Sequence, residues 1–410
     1  MSQKKLSFNP TRLQRLESWM DRYVEESKFA GSSVLINRGG EEVYFHATGM
    51  RDVENKLPFE RDTLVRIFSM TKPITSVAIM MLAEKGLLHL EAPVSEFVPE
   101  FSSCQALVAG ATSIDQTESA TTPTLHQLLT HTGGFSYPFN PGLLPKAMEE
   151  KDLIFKGQQG LLADVVCELA KLPLAFQPGK RWEYSVSIDV IGRVVEVVSG
   201  QPLDQFFADQ IFAPLGMTET AFSVPSDAMG RFASLYTPLE GNAMDLNATR
   251  SGGEPLRLED SAPDTPFGKT ETFSGGGGLV GTIDDYMCFC EMVRQGGALN
   301  GERLLSPLTV DFMRKNHLPG DIADMGPSSF AEQPMEGMGF GIGGSIVRNP
   351  GRIRVPGSIG DFSWGGMAST FFWIDPVLDM NVVFFTQLSP SSSYPAARAQ
   401  LKSIVHGALV

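Results

Sequence analysis

Ser69 and Lys72 stand three residues apart at the start of a predicted helix, a spacing that suits nucleophilic catalysis by a serine. Pro73 follows directly. Because proline is tolerated only in the first turn of a helix, it places the helix start close to Ser69. Lys85 and Gly86 supply a cation and a glycine at the other end. The apolar residues at helical spacing between the two ends are Ile74, Val77, Ala78, Met81 and Leu82.

This position supports a reaction at Ser69 in two ways. Backbone N–H groups at a helix start lack partners within the helix, and with the helix dipole they favour a developing oxyanion. Lys72 lies about 60° around the helix and ~4.5 Å along its axis, so its amine can reach the Ser69 hydroxyl. A desolvated lysine can serve as the base that a serine nucleophile needs. The pair therefore predicts an activated serine.

The Ser-x-x-Lys spacing alone is not specific, since a chain of this length contains about one or two chance matches. Ser2–Lys5 is such a match, in a polar N-terminus. A second motif, Gln177–Val186, holds Tyr184 on a turn just before a predicted helix, where its phenol can point into a cleft. The alternative for Tyr184 is a buried structural role.

A third motif, Asp361–Met367, leads into a predicted strand. Gly365 and Gly366 beside Trp364 allow a ligand to approach the strand edge closely. The alternative is a β-bulge that packs against Trp364.

Composition excludes several classes of function. The chain has 410 residues and a formal net charge of −14, which disfavours nucleic acid or an anionic membrane surface as a partner. It has no apolar run long enough for a transmembrane helix, and its start lacks a signal-peptide core, so we expect a cytoplasmic protein. The four cysteines lack zinc-ribbon or redox spacing, and the six histidines form no zinc motif. We therefore expect no metal and no cofactor.

The predicted elements indicate an α/β fold with an antiparallel sheet and a helix that delivers Ser69. The predicted helices span 11–28, 69–86, 125–134, 159–171, 187–199, 202–212, 280–293 and 395–405, and the predicted strands span 33–37, 42–48, 340–347, 367–374 and 381–387. Residues 102–124 are expected to form a loop. The glycine run Gly275–Gly278 is expected to mark a close approach of backbone segments, not a phosphate loop.

These elements predict two units within the chain. Residues 1–90 and 274–410 form the predicted α/β body, and residues 91–273 form an inserted, mostly helical lobe. Residues 234–273 have little periodicity, and a loop of that length is expected to line the substrate pocket.

Five motifs in this order resemble the family VIII carboxylesterases, the esterase branch of the class C β-lactamase and D-alanyl-D-alanine peptidase superfamily. They are SMTK at Ser69–Lys72, LLTHTGG at Leu128–Gly134, PGKRWEYS ending at Ser185, GGGGL at Gly275–Leu279 and WGG at Trp364–Gly366. The resemblance spans nearly the whole chain. It implies a β-lactamase/transpeptidase-like fold with a central antiparallel sheet flanked by helices.

The resemblance also implies roles for individual residues. Ser69 would be the nucleophile, and Lys72 and Tyr184 would share proton transfer. Which of the two is the base stays open. The oxyanion hole would come from the backbone N–H groups of Ser69 and Met367.

Two departures from the β-lactamase pattern bear on the substrate. Val186 stands where a β-lactamase has the asparagine of Tyr-x-Asn, and Trp364-Gly365-Gly366 stands where it has Lys-Thr-Gly. Both changes remove groups that hold a β-lactam, so these four residues are expected to bind uncharged, more apolar acyl esters. No Gly-x-Ser-x-Gly elbow occurs, which argues against an α/β-hydrolase.

The predicted function is hydrolysis of short- to medium-chain carboxylic esters through an acyl-enzyme, with weak cephalosporin turnover as an extension. The alternatives are an acyltransferase of the same superfamily, a β-lactamase or D-amino-acid peptidase, and a non-catalytic binding homologue. The expected partner is a small-molecule ester. Monomer and homo-oligomer both stay open.

Overall fold

A computed structural model describes residues 6–154, 157–331 and 333–410. An antiparallel sheet of eight strands forms its centre, in the order β14-β15-β16-β17-β18-β1-β2-β3. The described strands are β1 (Gly31–Arg38), β2 (Glu41–Asp52), β3 (Leu57–Pro58), β4 (Val65–Arg66), β5 (Gln105–Leu107), β6 (Thr117–Ser119), β7 (Leu235–Thr237), β8 (Arg257–Asp260), β9 (Val280–Gly281), β10 (Ala298–Leu299), β11 (Glu302–Arg303), β12 (Ser329–Phe330), β13 (Gln333–Pro334), β14 (Met338–Phe340), β15 (Ser345–Val347), β16 (Phe362–Gly365), β17 (Phe371–Asp375) and β18 (Met380–Thr386). The predicted fold class is confirmed.

Helices cover both faces of this sheet. The described α-helices are α1 (Pro10–Glu25), α2 (Thr71–Glu84), α3 (Leu125–Leu129), α4 (Leu143–Glu150), α5 (Leu162–Ala170), α6 (Ser187–Ser199), α7 (Leu203–Phe207), α8 (Ala213–Leu215), α9 (Ile283–Arg294), α10 (Pro307–Met313), α11 (Pro350–Ile353) and α12 (Ala397–Gly407). Among the described residues, no helix is long and apolar enough to cross a lipid bilayer. The predicted cytoplasmic location stays a prediction.

The central strands are apolar on both faces because each face packs against helices. Side chains alternate between the two faces of a strand. In β18, Val382 and Phe384 pack with α1 and α12, whereas Val383 and Phe385 belong to the larger core on the opposite face. Two hydrophobic cores therefore sandwich the sheet, and the larger one contains α2.

The helix after Ser69 forms as predicted, but its first α-helical residue is Thr71. Residues Phe68–Met70 form a 3-10 turn that leads into α2, so Ser69 lies in that turn. Pro73 falls in the first turn of α2, where no backbone N–H is needed. Gly86 follows the helix with φ +70°, a left-handed conformation that glycine adopts without strain. Residues Thr71 to Leu82 are all buried.

Two strand predictions near the C-terminus were wrong in their limits. The run from 340 to 347 is split into β14 and β15, because Gly341 to Gly344 reverse the chain and Gly343 has φ +98°. The strand predicted from Met367 begins at Phe371, because the preceding residues form a turn in which Ser369 has φ +63°. Trp364 and Gly365 therefore end β16 instead of entering a strand.

The segment between α2 and β9 is rich in helices, as predicted, but holds more structure than expected. The predicted loop at 102–124 contains the antiparallel pair β5–β6, and α4 was not predicted. The predicted loop at 234–273 contains the pair β7–β8. The division into a body and an inserted lobe stays a prediction.

A buried ion pair fastens the C-terminal helix α12 to the sheet beside β16. Lys402 Nζ lies 2.8 Å from Asp361 Oδ2, and the Asp361 side chain is fully buried. Burial raises the pKa of Asp361, and the charge of Lys402 opposes that shift. The carboxylate therefore depends on this lysine to stay charged in the interior.

Replacing Lys402 with methionine is expected to lower the free energy of unfolding by about 3–5 kcal/mol at neutral pH, because it leaves the Asp361 carboxylate buried without its cation. Urea unfolding followed by tryptophan fluorescence measures this loss. The loss should shrink as the pH falls, since a protonated Asp361 carries no charge.

The control is Lys315→Met, which removes an exposed ion pair with Asp311. That variant should lose no more than about 0.5 kcal/mol. Equal losses in Lys402→Met and Lys315→Met would contradict the importance of the buried pair.

Candidate active site

Ser69 is presented to a cavity by a tight backbone turn. The preceding residue, Phe68, has φ +43°, a left-handed conformation that is strained for a residue with a side chain. The Met70 N–H donates to the Ile67 carbonyl and closes the turn. Strand β4, just before it, pairs with β9, which follows the glycine run. The Ser69 side chain is thereby left partly accessible on the cavity wall.

Lys72 is 1% exposed, and its amine makes three hydrogen bonds. Lys72 Nζ lies 2.7 Å from the Gly276 carbonyl, 2.9 Å from Tyr137 Oη and 3.2 Å from Ser69 Oγ. The contact predicted between the serine and the lysine is therefore present. The predicted close approach of the glycine run is also present, because the Thr75 hydroxyl donates to the Gly275 carbonyl at 2.6 Å.

Tyr184 lies beside the lysine, but its hydroxyl points elsewhere. Lys72 Nζ is 4.6 Å from the centroid of the Tyr184 ring. The Tyr184 hydroxyl accepts a hydrogen bond from Trp364 Nε1 at 3.3 Å. Within the described chain, no hydrogen bond joins it to Ser69 or Lys72. Ser69 and Tyr184 thus line one cavity and Lys72 is buried beside both, but the Tyr184 hydroxyl makes no hydrogen bond to either of the other two groups.

Tyr137 makes the hydroxyl contact with Lys72, and the sequence did not point to it. It has no motif of its own and lies three residues after Gly134, the second glycine of the pair. Burial, followed by the charge of Asp189, raises the pKa of Tyr137 well above its ordinary value. Tyr137 is therefore a neutral phenol at physiological pH.

The segment around His131 holds Tyr184 in place. The Glu183 N–H donates to the His131 carbonyl at 2.9 Å, and the Val186 N–H donates to the Ser136 carbonyl at 3.2 Å. The His131 ring packs against the Tyr184 ring with centroids 4.9 Å apart. Burial, aided by the charge of Lys72, lowers the pKa of His131 well below its ordinary value, so the imidazole is neutral.

The predicted oxyanion donors face the same cavity. Met367 lies in the turn after β16, and both Met367 and Ser69 line the cavity. Neither of their N–H groups donates a hydrogen bond to another residue of the described chain. Gly366 permits this arrangement, because a Cβ there would lie 2.5 Å from the Ile67 carbonyl oxygen. Two free donors beside the serine could hold a carbonyl oxygen as it gains charge.

The cavity has a volume of about 410 Å³ and is lined mainly by apolar side chains. Trp364, Gly365 and Gly366 line it, as predicted. Val186 does not: it is fully buried and lies outside the cavity wall, so its predicted substrate contact is not seen. The large apolar residues of the lining are Phe68, Phe139, Ile154, Leu235, Met244, Leu246, Phe267, Phe330, Met335, Met338, Trp364, Met367 and Phe371.

An ion pair anchors one wall of the cavity to the strand that precedes Ser69. Arg66 is fully buried, and its guanidinium donates to Asp260 Oδ2 at 2.5 Å and to the Ala233 carbonyl at 2.6 Å. Burial lowers the pKa of Arg66 to about 10, although the Asp260 carboxylate opposes this shift. The segment 234–273, which this ion pair holds in place, supplies several of the side chains that line the cavity, as predicted.

Comparison with known proteins identifies the family. The family model for β-lactamases matches residues 16–406. The chain belongs to the β-lactamase family. Among the family's members, esterase EstB of Burkholderia gladioli is 31% identical over 91% of this chain and 89% of its own. A Mycobacterium tuberculosis protein, Rv1367c, is 36% identical over 86% of this chain and 84% of its own.

A solved structure extends the likeness to the fold. EstCE1, described as a hydrolase with promiscuous acyltransferase activity, superposes with a TM-score of 0.78 at 26% identity and covers 97% of this chain and 99% of that chain. This β-lactamase-family chain is therefore a serine hydrolase of the family VIII esterase type, as the resemblance predicted. In the described part of the enzyme, no three His, Cys, Asp or Glu side chains cluster as a metal-binding set.

Proposed function

We propose that the enzyme hydrolyses uncharged esters of short- to medium-chain acids through an acyl-enzyme on Ser69. The observation that carries this proposal is the 3.2 Å contact between Ser69 Oγ and Lys72 Nζ on the wall of an apolar cavity. A buried amine in contact with a hydroxyl can take up its proton as the hydroxyl attacks. Small-molecule esters fit this site.

The proton path follows from these contacts. The Ser69 oxygen bonds to the ester carbonyl carbon while its proton moves to the Lys72 amine. The tetrahedral oxyanion is held by the N–H groups of Ser69 and Met367, which contribute on the order of 3 kcal/mol each. The proton then passes to the leaving alcohol, with Tyr184 assisting at the cavity wall. Water releases the acyl group by the reverse route.

The negative charge of a β-lactam makes it a poor substrate for this site. A β-lactam carries a carboxylate, and the lysine of Lys-Thr-Gly is replaced by Trp364 in this chain. At that position the carboxylate would meet the Trp364 side chain instead of a cation, and an unpaired charge beside an apolar side chain is costly. The cavity therefore favours acyl chains that carry no charge.

A series of p-nitrophenyl esters from acetate to palmitate, measured beside nitrocefin, tests this proposal. We expect kcat/KM to be highest between butyrate and octanoate and to be lower for nitrocefin by about 100-fold or more. Nitrocefin turnover equal to that of the best ester would contradict the proposal. So would a monotonic rise in kcat/KM up to palmitate.

A second candidate function is acyl transfer to an alcohol, and the similarity to EstCE1 favours it. The same acyl-enzyme would serve, with an alcohol instead of water attacking it in the second step. Product analysis with butanol as a competing acceptor separates the two functions. Hydrolysis alone gives the free acid, whereas acyl transfer gives the butyl ester in excess of the share expected from the butanol concentration.

A further inference from the structure

We propose that Asp189 is a positioning residue that holds Gly276 against Lys72 and stabilises the protonated Lys72 by its charge, an inference that rests on the proposed function. Asp189 lies in the first turn of α6, five residues after Tyr184. No motif in the sequence marks it. Its carboxylate nevertheless lines the cavity from behind the glycine run.

Asp189 is built into the site as a buried carboxylate. Its side chain is 1% exposed, and its Oδ1 accepts hydrogen bonds from the Ser274 hydroxyl at 2.5 Å and from the Gly276 N–H at 3.0 Å. Its Oδ2 is buried and has no hydrogen-bond partner among the described residues. A carboxylate half satisfied in the interior is costly unless a nearby cation offsets its charge.

One residue, Gly276, contacts both this carboxylate and the lysine. The Gly276 N–H donates to Asp189, and the Gly276 carbonyl accepts from Lys72 Nζ at 2.7 Å. The N–H belongs to the peptide between Gly275 and Gly276 and the carbonyl to the peptide between Gly276 and Gly277, so the carboxylate fixes the residue whose carbonyl holds the amine. A Cβ at residue 276 would overlap Asp189 Oδ2, and glycine is therefore required for the carboxylate to lie against this residue.

The other titratable groups around Lys72 supply no negative charge, so Asp189 is the carboxylate that offsets the charge of the lysine. His131 is neutral because burial lowers its pKa, and Tyr137 is a neutral phenol because burial raises its pKa. Tyr184 presents its ring face to the amine. Burial raises the pKa of Asp189, and the positive charge of Lys72 opposes that shift.

The consequence concerns the state in which Lys72 has taken the proton of Ser69. In that state the amine is an ammonium, and the Asp189 carboxylate lowers its free energy without accepting the proton itself. The proton leaves later with the departing alcohol. A carboxylate behind a proton-accepting side chain plays the same part in the Ser-His-Asp arrangement.

The variant Asp189→Asn tests this directly, because its amide oxygen can still accept both hydrogen bonds while the charge is removed. We expect kcat/KM to fall by about 10- to 100-fold. We also expect the acid limb of its pH profile to move to lower pH by about one unit, since a nearby carboxylate favours the charged form of a proton-accepting amine and the variant lacks that charge. Ser274→Ala, which removes a hydrogen bond and keeps the charge, should leave the limb in place. An unmoved limb in Asp189→Asn overturns the proposal.

A stability measurement provides a second test that does not depend on activity. It also applies if Asp189→Asn alone does not fold. Lys72→Met leaves Asp189 without its cation, so adding Asp189→Asn to that variant should raise its Tm by about 3 °C or more. Adding Ser274→Ala should not raise it. A double variant Lys72→Met/Asp189→Asn that melts at or below Lys72→Met overturns the pairing. Turnover that survives in Ser69→Ala would instead refute the proposed function and leave this coupling measurable.

Discussion

Ser69→Ala is expected to lower the kcat for p-nitrophenyl butyrate by at least about 10⁴-fold while leaving the fold intact, because it removes the hydroxyl that forms the proposed acyl-enzyme. The Ser69 side chain makes its hydrogen bond with Lys72 Nζ at 3.2 Å, and its removal leaves the buried packing of α2 untouched. Circular dichroism and the Tm should therefore match those of the unchanged protein. Retained turnover in a folded variant would end the assignment of Ser69.

The chain supplies its own control for that experiment. Ser2 begins the second Ser-x-x-Lys match, which lies outside the described residues. Ser2→Ala should keep full activity. A fluorophosphonate probe should label the unchanged protein and Ser2→Ala and should fail to label Ser69→Ala. Labelling of Ser69→Ala would show that a different nucleophile reacts.

Tyr184→Phe is expected to lower kcat/KM by about 10³-fold, within the range for loss of a general acid or base. Tyr184 lies on the cavity wall with its hydroxyl next to Trp364, and in the proposed mechanism it assists proton transfer to the leaving alcohol. The packing around residue 184 should not change, because phenylalanine fills nearly the same space as tyrosine. The measurement is a full kcat and KM determination with p-nitrophenyl butyrate, with the Tm as a check on folding.

Tyr137→Phe is the matched control, since it removes the hydroxyl that does contact Lys72. We expect a loss of only about 10-fold, because a phenol whose pKa is raised well above its ordinary value exchanges protons poorly near neutral pH. If Tyr137→Phe lost more activity than Tyr184→Phe, proton transfer would have to be reassigned to Tyr137.

The position of the serine and the lysine was predictable because local rules govern both. Pro73 limits where the helix can begin, and residues three apart on a helix lie on neighbouring positions. The start of α2 was placed two residues early, since Phe68–Met70 form a 3-10 turn. That turn depends on Phe68 adopting a left-handed conformation, which no propensity favours for an aromatic residue.

The contact between Tyr137 and Lys72 was not predictable, because 65 residues separate them and only tertiary packing brings them together. The glycines between β14 and β15 were a local signal for a reversal, but the β-branched and aromatic residues around them outweighed it in the prediction. Val186 shows the limit of motif transfer: a residue at a motif position can face the core instead of the cavity.

The Arg66–Asp260 pair has a consequence for how new specificity could arise in this enzyme. Strands β7 and β8 pair with each other, and Asp260, at the end of β8, is tied to Arg66. Residues 238–256 thus form a loop, the 238–256 loop, whose two ends are fixed by these strands. Met244 and Leu246 of this loop line the cavity. Randomising the 238–256 loop should change the shape of the acyl-chain site while Ser69 and Lys72 keep their spacing. This loop is therefore the first region to diversify in a search for other substrates.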